Sequence, residues 1–317
     1  MKIKSLFAAA AMAVGALFAT DSMAYDLPSL NLGGTSFYDG GIPPTGPGLY
    51  AVEYLNFYSA GRFNDNNGHR LPLPNQDLFL FAPVTQGVYF APFKLFGVAT
   101  PGFQALLPVV ANNRVNDGLG GAALKGRTGV GDLTMGPMLM FDPIMGPKGP
   151  IFVQAIEFDF IVPTGSYNPN IAVNPGSNFF SFNPFYAATL WVTPEWSFSG
   201  RFYFLWNGVN NAPSASLGPS ALYSQAGTAF HTNLTTQYQI NQTWAVGINA
   251  YVLQQLSDFK VNGVAVPGQR ERVFAVGPGL ILNLSKDYSV FLNYYKEFSA
   301  RNRTEGQKLV LRFNAHF

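Results

Sequence analysis

Two acidic residues on one strand-like segment, Glu157 and Asp159, are the first candidates for chemistry in this chain. Residues i and i+2 of a β-strand lie on the same face, about 6–7 Å apart along the strand. Paired carboxylates at that distance could catalyse acid–base hydrolysis or bind Ca²⁺. No other acidic cluster in the sequence supports either chemistry, so the pair is also consistent with two polar side chains on one face of a strand.

The second candidate is His231, which lies in the middle of an alternating segment, unlike His69 and His316. Asn233 follows two residues later on the same face. A barrel hydrolase would need histidine, serine and asparagine or aspartate side chains that converge from neighbouring strands, and the sequence identifies no positioned serine. A metal site would need a second clustered ligand, and the chain contains no cysteine. We therefore expect no catalytic residues, no metal and no cofactor.

Segments that alternate apolar and polar residues must position these side chains, and a period of two is typical of β-strands. From Trp196 to Asn207 the even positions are almost wholly aromatic and the odd positions are mostly polar. The alternation recurs around residues 151–162, 230–238, 244–252, 274–284, 288–297 and 309–317. Strands near residues 49–59, 77–90 and 94–108 alternate less cleanly, and their glycines and prolines indicate bulges or bends.

The composition indicates where such strands lie. Asp, Glu, Lys and Arg make up 11% of the 317 residues, against about 25% in a typical soluble domain. The aromatic content of 15% argues against disorder, and the 33 glycines and 23 prolines argue against a helical bundle. A net charge of +2 without a basic block gives no support for nucleic-acid binding. A membrane β-barrel fits, because its apolar outer face needs only every second residue.

The connections between the predicted strands alternate in length. Short turns are expected at Thr193-Pro194-Glu195, Asn241-Gln242 and Lys286-Asp287. Longer polar segments are expected near Gly61–Gln76, Asn112–Arg127, Thr164–Asn178, Gly208–Leu222, Ser257–Arg270 and Arg301–Gly306. Outer-membrane barrels have short periplasmic turns and longer extracellular loops. The sequence therefore predicts an all-β fold, a transmembrane antiparallel up-and-down β-barrel of about twelve strands.

The parity of each strand assigns side chains to the lumen or to the lipid. The predicted lumen-lining residues, which are candidates for substrate contact, are Glu157, Asp159, Arg201, Tyr203, His231, Asn233, Tyr295, Glu297 and Arg312. They are interpreted either as a selectivity network or as a structural ion-pair lattice that fills a narrow interior. The predicted membrane-interface aromatic residues are Trp196, Trp206, Trp244, Tyr288 and Phe317. Phe317 closes an amphipathic last strand, which is the signal that outer-membrane assembly machinery recognises.

The N-terminus resembles a secretory signal. Lys2 and Lys4 precede a 14-residue apolar run, Leu6–Ala19, which is too short for a transmembrane helix. Small residues at Ser22 and Ala24 predict cleavage after Ala24. We therefore predict a signal peptide at residues 1–24, an N-terminal segment at 25–47 and a barrel at 48–317. The Gly/Pro-rich segment 25–47 is interpreted either as a lumen plug or as a flexible periplasmic tail.

Several sequence pieces resemble the outer-membrane β-barrel family associated with the meta-pathway of phenol degradation. They are PGLYAVEYLNFYSAGRFND (Pro47–Asp65), GVGDLTMGPMLMF (Gly129–Phe141), VPTGSYNPN (Val162–Asn170), NGVNNAP (Asn207–Pro213), ERVFAVGPGL (Glu271–Leu280) and NRTEGQKLVLRF (Asn302–Phe313). The resemblance spans most of the chain in the family's order. It implies an outer-membrane barrel, a loose link to the catabolism of aromatic or other hydrophobic compounds, and no catalytic residues.

These observations predict an outer-membrane channel for passive uptake of small hydrophobic, including aromatic, compounds, and not an enzyme. The alternatives are an outer-membrane hydrolase of the lipase or esterase kind and a closed structural or adhesive barrel. The expected partners are outer-membrane lipid, the assembly machinery acting on the C-terminal strand, and a small hydrophobic solute. We expect a monomer in the outer membrane of a bacterial-type cell, with no nucleic-acid partner.

Overall fold

The protein is described by a computed structural model that covers residues 27–37 and 46–317. The predicted signal peptide and its cleavage site lie outside the described residues. Twelve long strands form one barrel, and they are β1 Gly48–Phe63, β2 Asp77–Phe90, β3 Ala99–Val110, β4 Leu133–Phe141, β5 Gly149–Val162, β6 Ser181–Trp191, β7 Trp196–Asn207, β8 Ala229–Gln239, β9 Trp244–Gln255, β10 Arg272–Asn283, β11 Tyr288–Arg301 and β12 Thr304–His316.

The barrel is closed by the pairing of its first and last strands. Each long strand pairs antiparallel with the next one in sequence, and β12 pairs back with β1 from Tyr50↔His316 to Phe63↔Thr304. Closure leaves no long strand with an unpaired edge, as a bilayer requires, because lipid offers no hydrogen-bond partner to the main chain. The predicted up-and-down barrel of about twelve strands is confirmed.

The alternation of the sequence decides which face of each strand is buried. In β7, Ser197, Tyr203 and Leu205 are buried inside the barrel, whereas Phe198 and Phe204 are more than 40% exposed on its outside. This is the reverse of a soluble sandwich, because the apolar face here contacts lipid and the mixed face packs inside.

Short and long connections separate to opposite ends of the barrel. The turns at residues 192–195, 240–243 and 284–287 join β6 to β7, β8 to β9 and β10 to β11, as predicted. The opposite end carries the long loops and a four-stranded sheet of two-residue strands, Val209–Asn210, Ser224–Gln225, Lys260–Val261 and Val264–Ala265. By the rule for outer-membrane barrels, we take this loop end as extracellular.

The remaining short elements lie in the connections. They are the strands Asn112–Asn116, Gly129–Val130 and Ile144–Gly146 and the 3₁₀ turn Ala215–Leu217. None of the helical structure found in the described ranges is long and apolar enough to cross a membrane.

Three expectations about local structure were wrong. The segment Arg301–Gly306 is a two-residue turn, because Asn302 adopts a left-handed conformation with φ of 51° and β12 begins at Thr304. The third strand begins at Ala99 and not near residue 94, since Phe96 and Gly97 both have positive φ and form a turn. The predicted loop Asn112–Arg127 begins with a strand, Asn112–Asn116, that pairs with β2.

Candidate functional site

A buried chain of hydrogen bonds runs along the inner face of the barrel wall from β1 to β5. Gln104 donates 3.0 Å to Oδ1 of Asp159 and accepts from the amide of Gln86. Gln86 in turn accepts 2.8 Å from the hydroxyl of Tyr54. Four strands of the barrel wall are therefore joined through polar side chains at this depth. Neither glutamine was among the residues predicted from the sequence.

The two carboxylates predicted as candidates, Glu157 and Asp159, are both buried on the inner face of β5. The guanidinium of Arg201 lies 4.9 Å from the ring of Phe185 and within electrostatic range of both carboxylates. No group of three or more metal-binding side chains occurs among the described residues. Two carboxyl groups and one guanidinium group are thus gathered on the inner face of the barrel wall.

His231 is fully buried, and its ring lies parallel to that of Tyr203 with 4.1 Å between the ring centroids. Its Nε2 forms a 2.9 Å hydrogen bond with Oδ1 of Asn183, while Nδ1 has no hydrogen-bond partner among the described residues. Within the described ranges, no serine is hydrogen-bonded to this imidazole. Asn233, the second member of the hydrolase interpretation, makes contacts of a different kind.

Asn233 binds the N-terminal segment of the chain, residues 27–37, which lies inside the barrel. Its amide nitrogen donates to the carbonyl oxygen of Asn31 at 2.9 Å and to Oγ1 of Thr35 at 2.6 Å. Its Oδ1 accepts from the main-chain N–H of Gly33 at 2.8 Å. One inward-facing side chain on β8 thus contacts three residues of this segment.

Strands β11 and β12 contact the same segment from other sides. The hydroxyl of Tyr295 donates to Gly33 O at 2.9 Å, and Asn293 Nδ2 donates to Ser36 Oγ at 2.6 Å. Lys308 and Arg312 donate to the carbonyls of Leu32 and Ser36 at 2.7 and 2.9 Å. The segment is therefore held mainly through its main chain, which suits a stretch of small residues that can approach the wall closely.

Phe37, the last described residue before the gap at 38–45, is buried against the wall with its ring centroid 6.1 Å from that of Phe291. The ring of Phe37 also faces Gly247 and Gly279, where an added Cβ atom would lie 2.7 Å from it. Glycines at these two wall positions leave the space that the ring occupies.

Glu297 is a second centre of buried contacts, nearer the loop end. Its carboxylate accepts from the hydroxyls of Tyr58 and Tyr251 at 2.7 and 2.8 Å and from the main-chain N–H of Gly306 at 2.8 Å. Arg303 lies 3.9 Å from Glu297 and 3.3 Å from Glu271. The carboxylate of Glu297 thus accepts three hydrogen bonds from the barrel and has Arg303 as an ion-pair neighbour.

Glu271 lies in the connection just before β10 and is buried. Burial raises its pKa to about 7, although Arg303 and the main-chain N–H of Leu27 act in the opposite direction. Leu27 is the first described residue of the N-terminal segment, so this loop carboxyl group meets the start of that segment.

Above the segment lies a cavity of about 1140 Å³. Its lining is mostly apolar and comes from three sources, namely the barrel wall, the long loops and the N-terminal segment. The apolar lining residues include Leu27, Leu30, Leu32, Leu71, Leu73, Leu78, Leu80, Val84, Leu106, Leu124, Ile171, Phe179, Leu217, Leu253 and Phe259. A concave apolar space with a few polar groups, here Glu271, Glu297, Arg303 and Lys308, is typical of a small-molecule site.

Two aspartates hold the loops that wall this cavity. Asp117 accepts from four main-chain N–H groups, those of Leu119, Gly121, Ala123 and Leu124, at 2.8–3.0 Å. Burial acts to raise its pKa, but these four hydrogen bonds outweigh burial and lower the pKa to about 2. Asp132 accepts from Gly165 and Ser177 and joins the connection before β4 to the next loop.

The predicted site residues are all found on the strands, in two groups. Asp159, Glu157, Arg201, Tyr203 and His231 lie together on the wall formed by β5, β7 and β8, and Asn233, Tyr295, Glu297 and Arg312 surround the N-terminal segment or its cavity. The predicted interface aromatics Trp196, Trp206, Trp244, Tyr288 and Phe317 are all exposed. Trp196, Trp244 and Tyr288 each begin a strand directly after a short turn.

The sequence interpretation missed the loop leucines of the cavity. Leu71, Leu73 and Leu124 lie outside the alternating segments, in loops judged polar. These leucines could have been recognised because they are apolar residues between prolines and glycines. A loop that is exposed to solvent would have polar residues at such positions.

The fold and its inner face define the class of this protein, an outer-membrane β-barrel. The chain belongs to the family described as "Putative MetA-pathway of phenol degradation", whose model matches residues 60–313. The family expected from the sequence resemblance is thus confirmed. A search of curated proteins found none that matches this chain.

Solved structures agree with the fold. The chain is similar to the COG4313 outer membrane channel from Pseudomonas putida F1, with a TM-score of 0.76 at 17% identity, over 89% of this chain and 99% of that chain. Weaker similarities include the translocator domain of the autotransporter NalP from Neisseria meningitidis (TM-score 0.45, 8% identity, 86% of this chain and 89% of that chain). Another is a variant of the TodX monoaromatic hydrocarbon channel (TM-score 0.46, 9% identity, 86% and 91%). The last two are too distant to carry an argument.

Proposed function

We propose that this protein is a passive outer-membrane channel for small hydrophobic solutes, including aromatic ones. The observation that carries the proposal is the apolar cavity of about 1140 Å³ at the loop end of the barrel. Removal of apolar surface from water contributes about 25 cal/mol per Å² to the free energy of binding. Such a cavity therefore favours hydrophobic solutes over polar ones. The family's link to phenol degradation agrees with an aromatic solute.

The route begins at the long loops and passes into the cavity, whose floor is the N-terminal segment. The solute then leaves past this segment or sideways through a gap between strands. In this account the described part of the predicted segment 25–47 that lies inside the barrel, residues 27–37, is a lumen plug rather than a free tail. The hydrogen bonds of Asn233, Tyr295 and Lys308 to residues 31–35 support this role. The lumen residues Glu157, Asp159, Arg201 and Arg312 have a structural role, as a lattice that keeps the lower lumen packed.

The proposal also covers the export, membrane assembly and oligomeric state of the protein. The first 24 residues direct export and are removed after Ala24, the assembly machinery recognises the strand that ends in Phe317, and the barrel acts as a monomer in the outer membrane. The proposal includes no catalytic role, since His231 forms a hydrogen bond with Asn183 and, among the described residues, with no serine.

Binding of an aromatic probe to the cavity tests the proposal. The protein in lipid nanodiscs is titrated with N-phenyl-1-naphthylamine, whose fluorescence rises in apolar surroundings, and empty nanodiscs give the background. We expect saturable binding that Leu124→Asp weakens at least about tenfold, or 1.4 kcal/mol, because a carboxylate then faces the cavity. Leu222→Asp is the matched control, since Leu222 is a loop leucine that is 72% exposed and outside the cavity. Equal binding by both variants would contradict the cavity as the solute site.

A closed lumen with no transport role is the second candidate, and the dense hydrogen bonding of the N-terminal segment favours it. It predicts that aromatic solutes enter proteoliposomes no faster than empty liposomes, although heat-modifiable gel mobility shows that the protein is folded. Near-zero ion conductance in planar bilayers is expected in both accounts and does not separate them.

A further inference from the structure

Two arginines face each other on the outside of the barrel near its loop end. Arg272 on β10 and Arg301 on β11 are directly paired in the register, and neither side chain is buried. Like charges directly opposite each other on neighbouring strands are destabilising. Such a pair is expected where an anion lies between the two guanidinium groups.

A third arginine and several amides join them around a surface pocket of about 400 Å³. The pocket is lined by Asn66, Asn67, Gln254, Asp258, Gly268, Arg270, Arg272 and Arg301. Within this lining Asp258 is the sole carboxylate, and Arg270 already occupies both of its oxygens, at 2.8 and 3.0 Å. The hydrogen bond from Arg270 lowers the pKa of Asp258, which keeps this pair ionised. The pocket therefore has two guanidinium groups in excess of its acid.

The neighbours of the arginine pair indicate what kind of anion it takes. The next pair toward the membrane, across a register shift, is Phe274 with Phe298, two residues along β10 and three along β11. Both rings are more than 40% exposed on the lipid face. Cationic side chains directly above exposed aromatic rings match a molecule with an anionic head and apolar chains. A free ion would contact the arginines but not the two phenylalanines.

We propose that this pocket binds a phosphate group of a lipid headgroup in the extracellular leaflet. The guanidinium of Arg301 is available for a bidentate contact with phosphate oxygens. Arg272 donates from Nε to the carbonyl of Ser299 at 3.3 Å, which fixes its direction and leaves its terminal nitrogens for the ligand. Asn66 and Asn67 add amide donors from the loop after β1. The site is on the outer surface and is independent of the proposed transport of solutes.

Retention of a phosphorylated lipid by the purified full chain tests this site. The detergent-solubilised protein is mixed with bisphosphorylated lipid A, or with the same lipid after removal of its phosphates, and bound lipid is counted by native mass spectrometry. We expect phosphate-dependent binding that falls at least about tenfold in Arg301→Gln and further in Arg272→Gln/Arg301→Gln. Arg114→Gln is the matched control, because Arg114 is an exposed arginine of the loop end outside the pocket.

Stability without lipid separates binding from a purely structural role. Arg301→Gln relieves the repulsion with Arg272, so its resistance to urea in lipid-A-free detergent should equal or exceed that of the wild type. Loss of stability in Arg301→Gln, or lipid retention equal to that of Arg114→Gln, would overturn the proposal. Inorganic phosphate is the second probe, and displacement of lipid A by low millimolar phosphate would show an ion site and overturn the assignment to a lipid.

Discussion

The ammonium group of Lys308 donates a 2.7 Å hydrogen bond to the main-chain carbonyl of Leu32, 276 positions away in the sequence. Lys308 belongs to the last strand, whereas Leu32 belongs to the segment that precedes the first strand. Both residues line the cavity. This hydrogen bond therefore lies at the boundary between the cavity and the N-terminal segment.

Removal of this hydrogen bond should loosen the N-terminal segment. Lys308→Met keeps the length of the side chain but leaves the carbonyl of Leu32 without its donor, which costs about 1–3 kcal/mol when the carbonyl stays buried. We expect faster cleavage of residues 27–37 by proteinase K, a broad-specificity protease that does not require a lysine at the cleavage site. Lys296→Met is the control, because Lys296 lies on the outer face of β11; equal cleavage of the two variants would contradict the role of Lys308.

Gly33 tests the close fit of the segment against the wall. A Cβ atom at Gly33 would lie 2.8 Å from the rings of Tyr251 and Tyr295, and its φ of 69° is itself unfavourable for other residues. We expect Gly33→Ala to displace the segment and raise the uptake of an aromatic solute into proteoliposomes several-fold.

Gly46→Ala is the matched control for this change. Gly46 also has a positive φ, of 89°, but no atom lies within 4 Å of its added Cβ. The control therefore has the backbone strain without the collision, and uptake should stay near the wild-type rate. A similar rise in both variants would show that strain alone, and not contact with the two tyrosines, controls the segment.

Asp117 should control the order of the loop that carries Leu124. In the wild type, four main-chain N–H groups donate to the two carboxylate oxygens of Asp117. Asparagine has one acceptor oxygen in place of two, and its amide N–H₂ group would point toward some of these donors. Asp117→Asn should therefore speed amide hydrogen exchange at residues 119–124 by at least tenfold and weaken binding of the aromatic probe. Exchange at the wild-type rate would show that the four hydrogen bonds of Asp117 do not order this loop.

Glu271 predicts a pH dependence of stability. An unfolded glutamate ionises near pH 4.5, whereas burial raises the pKa of Glu271 to about 7 in the folded protein. Between these values the folded state binds more protons, so its free energy of unfolding falls as pH rises from about 4.5 to about 7. The loss is on the order of 3 kcal/mol at pH 8 relative to pH 4.

Glu271→Gln should remove this slope, because glutamine does not ionise. Urea unfolding in lipid vesicles at pH 5 and pH 8 measures it, with Glu195→Gln in an exposed turn as the control. Wild type and Glu195→Gln should lose stability over this range relative to Glu271→Gln. A slope that persists in Glu271→Gln would assign the pH dependence to another group.

The barrel could be predicted from the sequence because lipid enforces a simple rule. Lipid favours apolar side chains on the outward face of a strand such as β7, so parity alone identified the inner positions Tyr203, His231 and Glu297. The predictions were wrong where local geometry replaced this rule. Asn302 makes a two-residue turn with a left-handed conformation that a polar segment does not reveal.

The candidate site could be predicted only in part, because it depends on contacts between distant segments. Parity placed Asn233 and Arg312 inside but gave no sign that both contact residues 31–36. Gln86 and Gln104 come from strands with weak alternation, and their link to Asp159 depends on the register between strands. The cavity depends on how loops fold back over the barrel, and no periodic pattern encodes that.

The most direct test of the account is the uptake of an aromatic solute into proteoliposomes. The purified full chain is inserted into liposomes, and the initial uptake rates of a panel of radiolabelled aromatic compounds and fatty acids are compared with those of empty liposomes and of liposomes that carry Leu124→Asp. The account predicts faster, saturable uptake of at least one hydrophobic solute by the wild type and a much lower rate with Leu124→Asp. Uptake no faster than in empty liposomes for every solute of the panel would contradict it.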